Sequence, residues 1–573
     1  MIFRACGLSL LVGLGLWGNV GGQTKSSRSD IRPADLILHH AKIVTPDSES
    51  AEALAIVGPH IVAVGSNAAM ESWKGPNTRW IDGKGRSVTP GFNDAHVHFL
   101  SGSLSLDQVQ LLDASDQAEV ESRIRSFVAS QPNRVCIQGR GWVYGAFEGG
   151  LPHKSILDAI VHDRPAIMRC YDGHTVWVNS KTLELAGIDR QTPDPPQGII
   201  VRDASGLPTG VLKEAAQDLI EKVIPQPSLE EKLRALDEGA RQALQLGVTS
   251  VQEAGVFEKD LLVLEKWITS NSLKPRMRIA LEVRPTMSQE ELKHLTQLRQ
   301  RYKHLHLHAV KLYVDGVIEA HTAALLSPYA NRPSRGLPEY DPPALDQMIG
   351  YLDANDWQIM VHAIGDAGIR MTLDAIEKAM RNHPQPNRER RHRLEHIETI
   401  QPQDIARLEK LGVLASMQPF HAHPNKNIFE VWAINLGEER TQRAWAWNSI
   451  RKAGGRLAFG TDWPVVGIDP RPGIHVAVTR QTLEGQPADG FLPLERLTLR
   501  QTLDAYSYGS AYAEFAEKEK GLIAPGMLAD LVVWEEDIFA IPVPQIQKTP
   551  IAFTILNGQV AYDRSVAENA PPK

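Results

Sequence analysis

Short apolar runs bounded by turn residues recur along this chain, and from residue 248 to 459 they alternate with stretches of helical periodicity. The runs are Val248–Val251, Met277–Val283, Ala309–Val314, Ile359–Ala363, Arg393–Ile397, Val413–Met417 and Leu457–Phe459. Helical patterns separate them, for example Ala367 to Met380 and Pro402 to Leu411. Runs this short suit strands, and their alternation with helices predicts an α/β fold with a parallel sheet. Adding the strand that ends near Asn93 gives eight β/α units, which favours a closed (β/α)8 TIM barrel over an open doubly wound sheet.

The two ends carry a different pattern. Strand signals at 34–45, 53–57 and 61–65 have counterparts at 521–534 and 552–560. They predict a small β-sandwich module shared by both ends, residues 30–88 and 518–573, with the barrel spanning 89–98 and 228–517. Between the first two barrel strands lies the excursion 99–227, rich in Gly and Pro turns and with strand-like pieces such as Arg164–Cys170. A structureless loop of that length is improbable, so it reads as an inserted α+β subdomain.

Residues 1–22 read as a signal peptide. Arg4 precedes the apolar run Leu8–Trp17, and Gly21 and Gly22 precede a polar stretch. The pattern predicts an exported protein, periplasmic or secreted, and the run is too short and Gly-rich for a stable membrane span. A net charge of -7 without a long basic run gives no footprint for nucleic acid. Only Cys6, Cys136 and Cys170 are present, so a disulfide framework is excluded, though a single Cys136–Cys170 bridge stays open. A homo-oligomer would be unsurprising at 573 residues.

Candidate chemistry begins at His96 and His98 in Thr89–His98, two apart at a strand end and hence on one face. His421 and His423 share that spelling and read as decoys in the loop after the seventh strand. His304, His306 and His308 read as alternating along one strand. What separates the first pair is the arrival of Lys311, His362, His396 and Asp462 on later barrel strands or at their C-terminal ends. Active sites of such barrels are built on that face. Four imidazoles and a carboxylate there suit zinc or a similar borderline divalent ion.

The order His-x-His, Lys, His, His, Asp resembles the amidohydrolase superfamily. The segments Thr89–His98, Asp172–Ser180, Val361–Asp366 and Gly460–Pro464 are similar to its family-3 branch, which includes N-substituted formamide deformylase-like enzymes. The resemblance implies that His96, His98 and Asp462 hold one ion and His362 and His396 a second, with Lys311 bridging them after carboxylation. It further implies that Asp462 is the catalytic base for a metal-activated hydroxide. His174 is a candidate for contacting the substrate or its oxyanion. Trp142, with Tyr144, is a candidate pocket wall, while Tyr313, Asp315 and Asp366 could support the ligands or meet a small-molecule substrate. The function implied is hydrolysis of a non-peptide C–N bond in an amide, N-acyl or formamide-like compound. A cyclic amidase or deaminase with the same metal site, and a catalytically silent ligand-binding barrel, remain open alternatives.

Overall fold

The computed structural model describes residues 32–46, 50–270, 272–385 and 387–568. The signal peptide read at 1–22 lies outside the described residues. Among the described residues no helix is long and apolar enough to cross a membrane.

Eight strands form one sheet: β1 (Phe92–Val97), β2 (Val248–Val256), β3 (Arg276–Glu282), β4 (Ala309–Tyr313), β5 (Gln358–Ala363), β6 (Arg393–His396), β7 (Leu414–Met417) and β8 (Leu457–Phe459). Each pairs in parallel with the next. β1 and the segment after β8 approach through a parallel bridge between Val97 and Trp463, and Asp462 donates its backbone N–H to His96 O over 2.7 Å. Asp94 strengthens this seam by accepting from the Thr461 backbone N–H and hydroxyl. Gly460 makes the approach possible, because a Cβ there would lie 2.6 Å from His96 N and 2.7 Å from Asp94 Oδ1. The fold is therefore a TIM barrel, and its first and eighth strand ends bring His96 and Asp462 together.

The helices between strands have readable ends. Leu229–Gln245 starts with a capping box between Ser228 and Glu231. Pro402–Leu411 opens on proline and stops at Gly412 in the left-handed region, with φ 64°.

The chain ends meet in two sheets. One holds Leu36–His39, Ala53–Val57, His60–Gly65 and Arg79–Asp82; the other includes Lys42–Val44, Ser87–Pro90, Leu531–Trp534 and Ile551–Leu556. Ser87–Pro90 pairs antiparallel with Leu531–Trp534, and Leu54 and Ile56 share a buried cluster with Leu531, Val533 and Ile555. Alternating side chains send one face of each sheet into that common core.

Between β1 and β2 the chain forms a mixed six-stranded sheet, whose longer strands are Ile137–Trp142, Ala166–Cys170, Thr175–Val178, Gly198–Arg202 and Pro208–Glu214. Two expectations fail here and nearby. Cys136 and Cys170 are both free and buried. Ile137 pairs with Ala166 and Trp142 with Cys170, so the two thiols lie at opposite ends of a parallel strand pair, beyond disulfide reach. His304, His306 and His308 do not alternate along a strand. Lys303–Leu305 is a 3-10 turn, His306 has φ 53°, and β4 begins only at Ala309.

Candidate metal centre and active site

The strand period of two explains the inward set. On β4, Ala309, Lys311 and Tyr313 share one face. At β6, Arg393 and Glu395 point into the barrel as a buried ion pair, Arg393 Nε donating to Glu395 Oε1 over 2.8 Å. His396 follows at the strand end with φ 75°, and Asp462 after β8 has φ 62°. Positive φ at two non-glycine residues facing one cluster is backbone strain held by the surrounding structure, a mark of functional sites.

Asp462 is the hub. Its Oδ1 lies 3.6 Å from His96 Nε2 and 3.5 Å from His98 Nε2. Its Oδ2 lies 3.8 Å from His396 Nδ1 and 3.9 Å from His421 Nε2. Ligand bonds of about 2.0–2.2 Å in a tetrahedral site put donor atoms roughly 3.3–3.5 Å apart, close to these separations. Asp462 Oδ1 and His421 Nε2 are buried with no hydrogen-bond partner among the described residues. Orphaned acceptor-capable atoms at this spacing fit a divalent cation.

The imidazoles are in the right protonation state. Burial pushes His96, His362 and His396 well below the ordinary histidine range, His98 to about 3 and His421 to about 4. Neutral rings offer lone pairs, and their partners fix which nitrogen is free. His96 Nδ1 donates to Glu395 Oε2 over 2.6 Å, leaving Nε2 to face Asp462. His362 Nε2 donates to Gly316 O over 3.2 Å, leaving Nδ1. Burial pushes the Asp462 carboxyl up to about 7.

Lys311 is fully buried, with Nζ 3.3 Å from His96 Nε2 and 4.5 Å from the centre of the Tyr313 ring. Burial lowers its pKa despite Glu395 and Asp462 nearby. His362 stands one step away from the Asp462 hub, its ring 4.5 Å from that of His396.

A cavity of about 1870 Å³ opens over this cluster, walled partly by the inserted subdomain. His174 reaches it from there, its ring 5.1 Å from that of His362 and its Nδ1 2.8 Å from Glu214 Oε2. Burial lowers the His174 pKa, but the Glu214 carboxylate and Asp172 outweigh it, and the ring is held up at about 9. Glu214 itself has φ 48° and ψ -130°, another strained position.

Other candidates have different places. Tyr313 lines the cavity. Asp315 borders it too, yet its oxygens accept the backbone N–H groups of Ala324, Ile364 and Gly365, so it organises loops behind His362. Asp366 accepts from Leu326 N and Gln401 Nε2 and does not touch a ligating ring. Trp142 is not a pocket wall: it is fully buried, donates Nε1 to Met168 O over 2.8 Å and packs between Tyr144 and Phe147. Tyr144 is likewise interior, its hydroxyl donating to Asp172 Oδ2.

His421 reads as a decoy from its place in the loop after β7, yet the structure brings its ring beside the Asp462 cluster. The 3-10 turn Pro419–Ala422 after β7 carries its ring parallel to that of His396, with centroids 6.0 Å apart. His423 turns away and accepts from Leu483 N. Glu395 and Glu214 were also missed. A signal for Glu395 existed, since Arg393 and Glu395 put two charges on the inward face of a barrel strand.

Comparison with known proteins agrees with this geometry. The chain belongs to the amidohydrolase family, whose family model matches residues 79–562. It is 30% identical to the putative amidohydrolase YtcJ of Bacillus subtilis over 528 residues, covering 91% of this chain and 97% of that protein. It is 25% identical to the N-substituted formamide deformylase of Arthrobacter pascens over 551 residues, 93% of this chain and 99% of the other. Among solved structures, a metal-dependent hydrolase from Pyrococcus horikoshii aligns with TM-score 0.68 and 25% identity, covering 89% of this chain and 99% of that chain. The protein is thus an amidohydrolase-family hydrolase, and the family implies a divalent metal.

Proposed function

We propose that the protein hydrolyses a non-peptide C–N bond, in an N-acyl or formamide-like amide, with zinc as its ion. The observation that carries this reading is one strained carboxylate, Asp462, facing four neutral imidazole nitrogens at 3.5–3.9 Å beneath a large cavity. Likeness to the deformylase of Arthrobacter pascens supports the substrate class. His96, His98 and Asp462 would hold the ion, which polarises the scissile carbonyl and acidifies water when bound.

The chain's own groups do the rest. Asp462 takes the proton of the attacking water and passes it to the leaving nitrogen. Glu214 holds His174 as a cation, so its remaining ring N–H can donate to the carbonyl oxygen as charge develops there. Arg393 and Glu395 fix the His96 ring. Burial lowers the Lys311 pKa, which favours carboxylation of its amine into an anionic ligand beside His96. The leader read at 1–22 supports export, which the mass of the mature N-terminus tests.

The decisive experiment exposes purified protein to a panel of N-formyl and N-acetyl amines, before and after chelation. Turnover lost on chelation and restored by zinc supports the reading. Hydrolysis that survives complete metal removal, or ligand binding without turnover, overturns it.

A further inference from the structure

The inserted subdomain carries into the cavity a pair of charges that the chemistry at Asp462 does not use. Ile137–Trp142 and Ala166–Cys170 run parallel, and their register sets Arg140 directly opposite Arg169. Opposed residues on paired strands share a face, and like charges placed so repel. Both side chains border the cavity, yet among the described residues no carboxylate oxygen lies within 4.0 Å of either guanidinium. Arg140 Nη2 donates to Tyr171 O and Arg169 Nη1 to Gln217 Oε1, each over 3.3 Å. Arg140 is only 9% exposed. Burial and the repulsion of Arg169 lower its pKa to about 10, so it is still a cation at neutral pH. A buried cation beside a second cation is costly unless an anion joins them.

The strand is bent so as to aim Arg140 there. Cys136, Gln138 and Arg140 all border the cavity, and a period of two would send Trp142 the same way. The register shifts between Arg140 and Trp142, however, and Gly141 takes φ 93°. A Cβ at Gly141 would lie 2.7 Å from Leu112 N, so this bulge requires glycine. It turns Trp142 into the core and leaves Arg140 on the cavity that His98 and Asp462 also line. We infer that Arg140 and Arg169 form a carboxylate-binding subsite, so that the substrate is an amide that also carries a carboxylate group. Two planar guanidinium forks side by side can each donate to an oxygen of one carboxylate. The protein's own acids do not fill this role. Asp172 accepts from the Tyr144 hydroxyl and the His174 backbone N–H, while Asp218 and Glu221 attract Arg169 from beyond ion-pair distance. Asp462 is the largest attractive charge acting on Arg140, which fits a carboxylate held there while the amide meets Asp462.

The inference rests on the hydrolytic reading above, and a binding measurement separates the two. Zinc-loaded protein is titrated in a calorimeter with racemic N-methanesulfonyl-leucine and with its carboxamide, whose sulfonamide bond resists hydrolysis. Turnover is followed in parallel on N-acetyl-leucine, N-acetyl-leucinamide and N-butylsuccinamic acid, the last with its carboxylate on the acyl half. The wild type should bind the sulfonyl acid at least about 30-fold more tightly than its carboxamide, as for a buried charge pair. Arg140→Gln and Arg169→Gln should each bring that ratio near one, and Arg140→Lys should keep part of it. Because one of two repelling cations is gone, Arg140→Gln should melt no lower than the wild type. Turnover favouring either acid over N-acetyl-leucinamide supports the subsite and tells which half of the amide bears the carboxylate. Equal binding of acid and carboxamide by the wild type overturns the subsite. So does a ratio that folded Arg140→Gln retains, above all if its melting temperature falls, which would make the arginines structural. Carboxylate-selective binding that the variants lose, with no turnover of any compound, leaves the subsite standing and counts against the hydrolytic reading alone.

Discussion

His96 and Glu395 face each other near the C-terminal ends of their strands, Nδ1 to Oε2, 2.6 Å apart with neither side chain exposed. Glu395 is held in turn by Arg393, whose guanidinium also reaches Ala95 O, Ser416 Oγ and Gln252 Oε1. This chain of charge-assisted bonds decides which His96 nitrogen is free for a cation.

Glu395→Gln should therefore weaken metal binding while leaving every ligand in place. Loss of an outer carboxylate on a ligating histidine typically costs about 10- to 100-fold in metal affinity. Competition against a fluorescent zinc chelator measures it. Unchanged affinity would show that the His96 ring is oriented by packing alone.

Asp462→Asn removes the group placed to carry the proton while keeping its size. The kcat per bound ion should fall about 10²- to 10⁴-fold, the usual worth of general acid–base catalysis. Normalising to measured metal content separates this from lost binding. A variant with normal turnover per ion would exclude Asp462 as the proton carrier.

Asp353 tests stability away from the centre. It sits at the end of helix Pro342–Ala354 and accepts from Arg390 Nε at 2.7 Å, from Arg388 Nη1 at 3.2 Å and from His392 Nε2 at 3.1 Å. Burial raises its pKa, but the His392 and Arg390 bonds outweigh that and hold it below the ordinary 3.8. A depressed carboxyl stabilises the fold above its unfolded pKa, and that contribution is lost as pH falls through the folded value. Asp353→Asn should cost about 3–5 kcal/mol near neutrality, since it strands a buried cation. The gap in melting temperature between wild type and variant should shrink as pH drops below 3.8. A gap independent of pH would mean that the carboxylate charge contributes nothing.

Gly460→Ala tests the barrel seam. The added methyl would sit 2.6 Å from a backbone nitrogen of β1, which cannot swing aside. Overpacking of this kind costs about 1–3 kcal/mol. Because the displaced residue is His96, zinc content should fall with the melting temperature. Wild-type values for both would show that the seam is looser than described.

Much of this molecule was written in local pattern. Seven short runs and the strand near Asn93 correspond to β1–β8, because barrel strands are buried on both faces and most of them are rich in apolar residues. The excursion between β1 and β2 was visible as length with Gly and Pro turns and strand-like pieces of its own. That His96, His98, Lys311, His362, His396 and Asp462 lie near one another was legible because strand ends in this fold converge. Tertiary structure alone decided the rest. His421 and His423 are identical in spelling, and only the path of the loop after β7 turns one ring toward Asp462 and the other away. Trp142 could be wall or core, packing being the commoner fate of an aromatic near glycine turns, until the sheet around it is closed. Cys136 and Cys170 looked bridgeable until strand register separated them. Sequence determines which side chains share a strand face, because that follows from a period of two. Which loop side chain reaches a site depends on contacts between residues distant in the chain, and no local period encodes those.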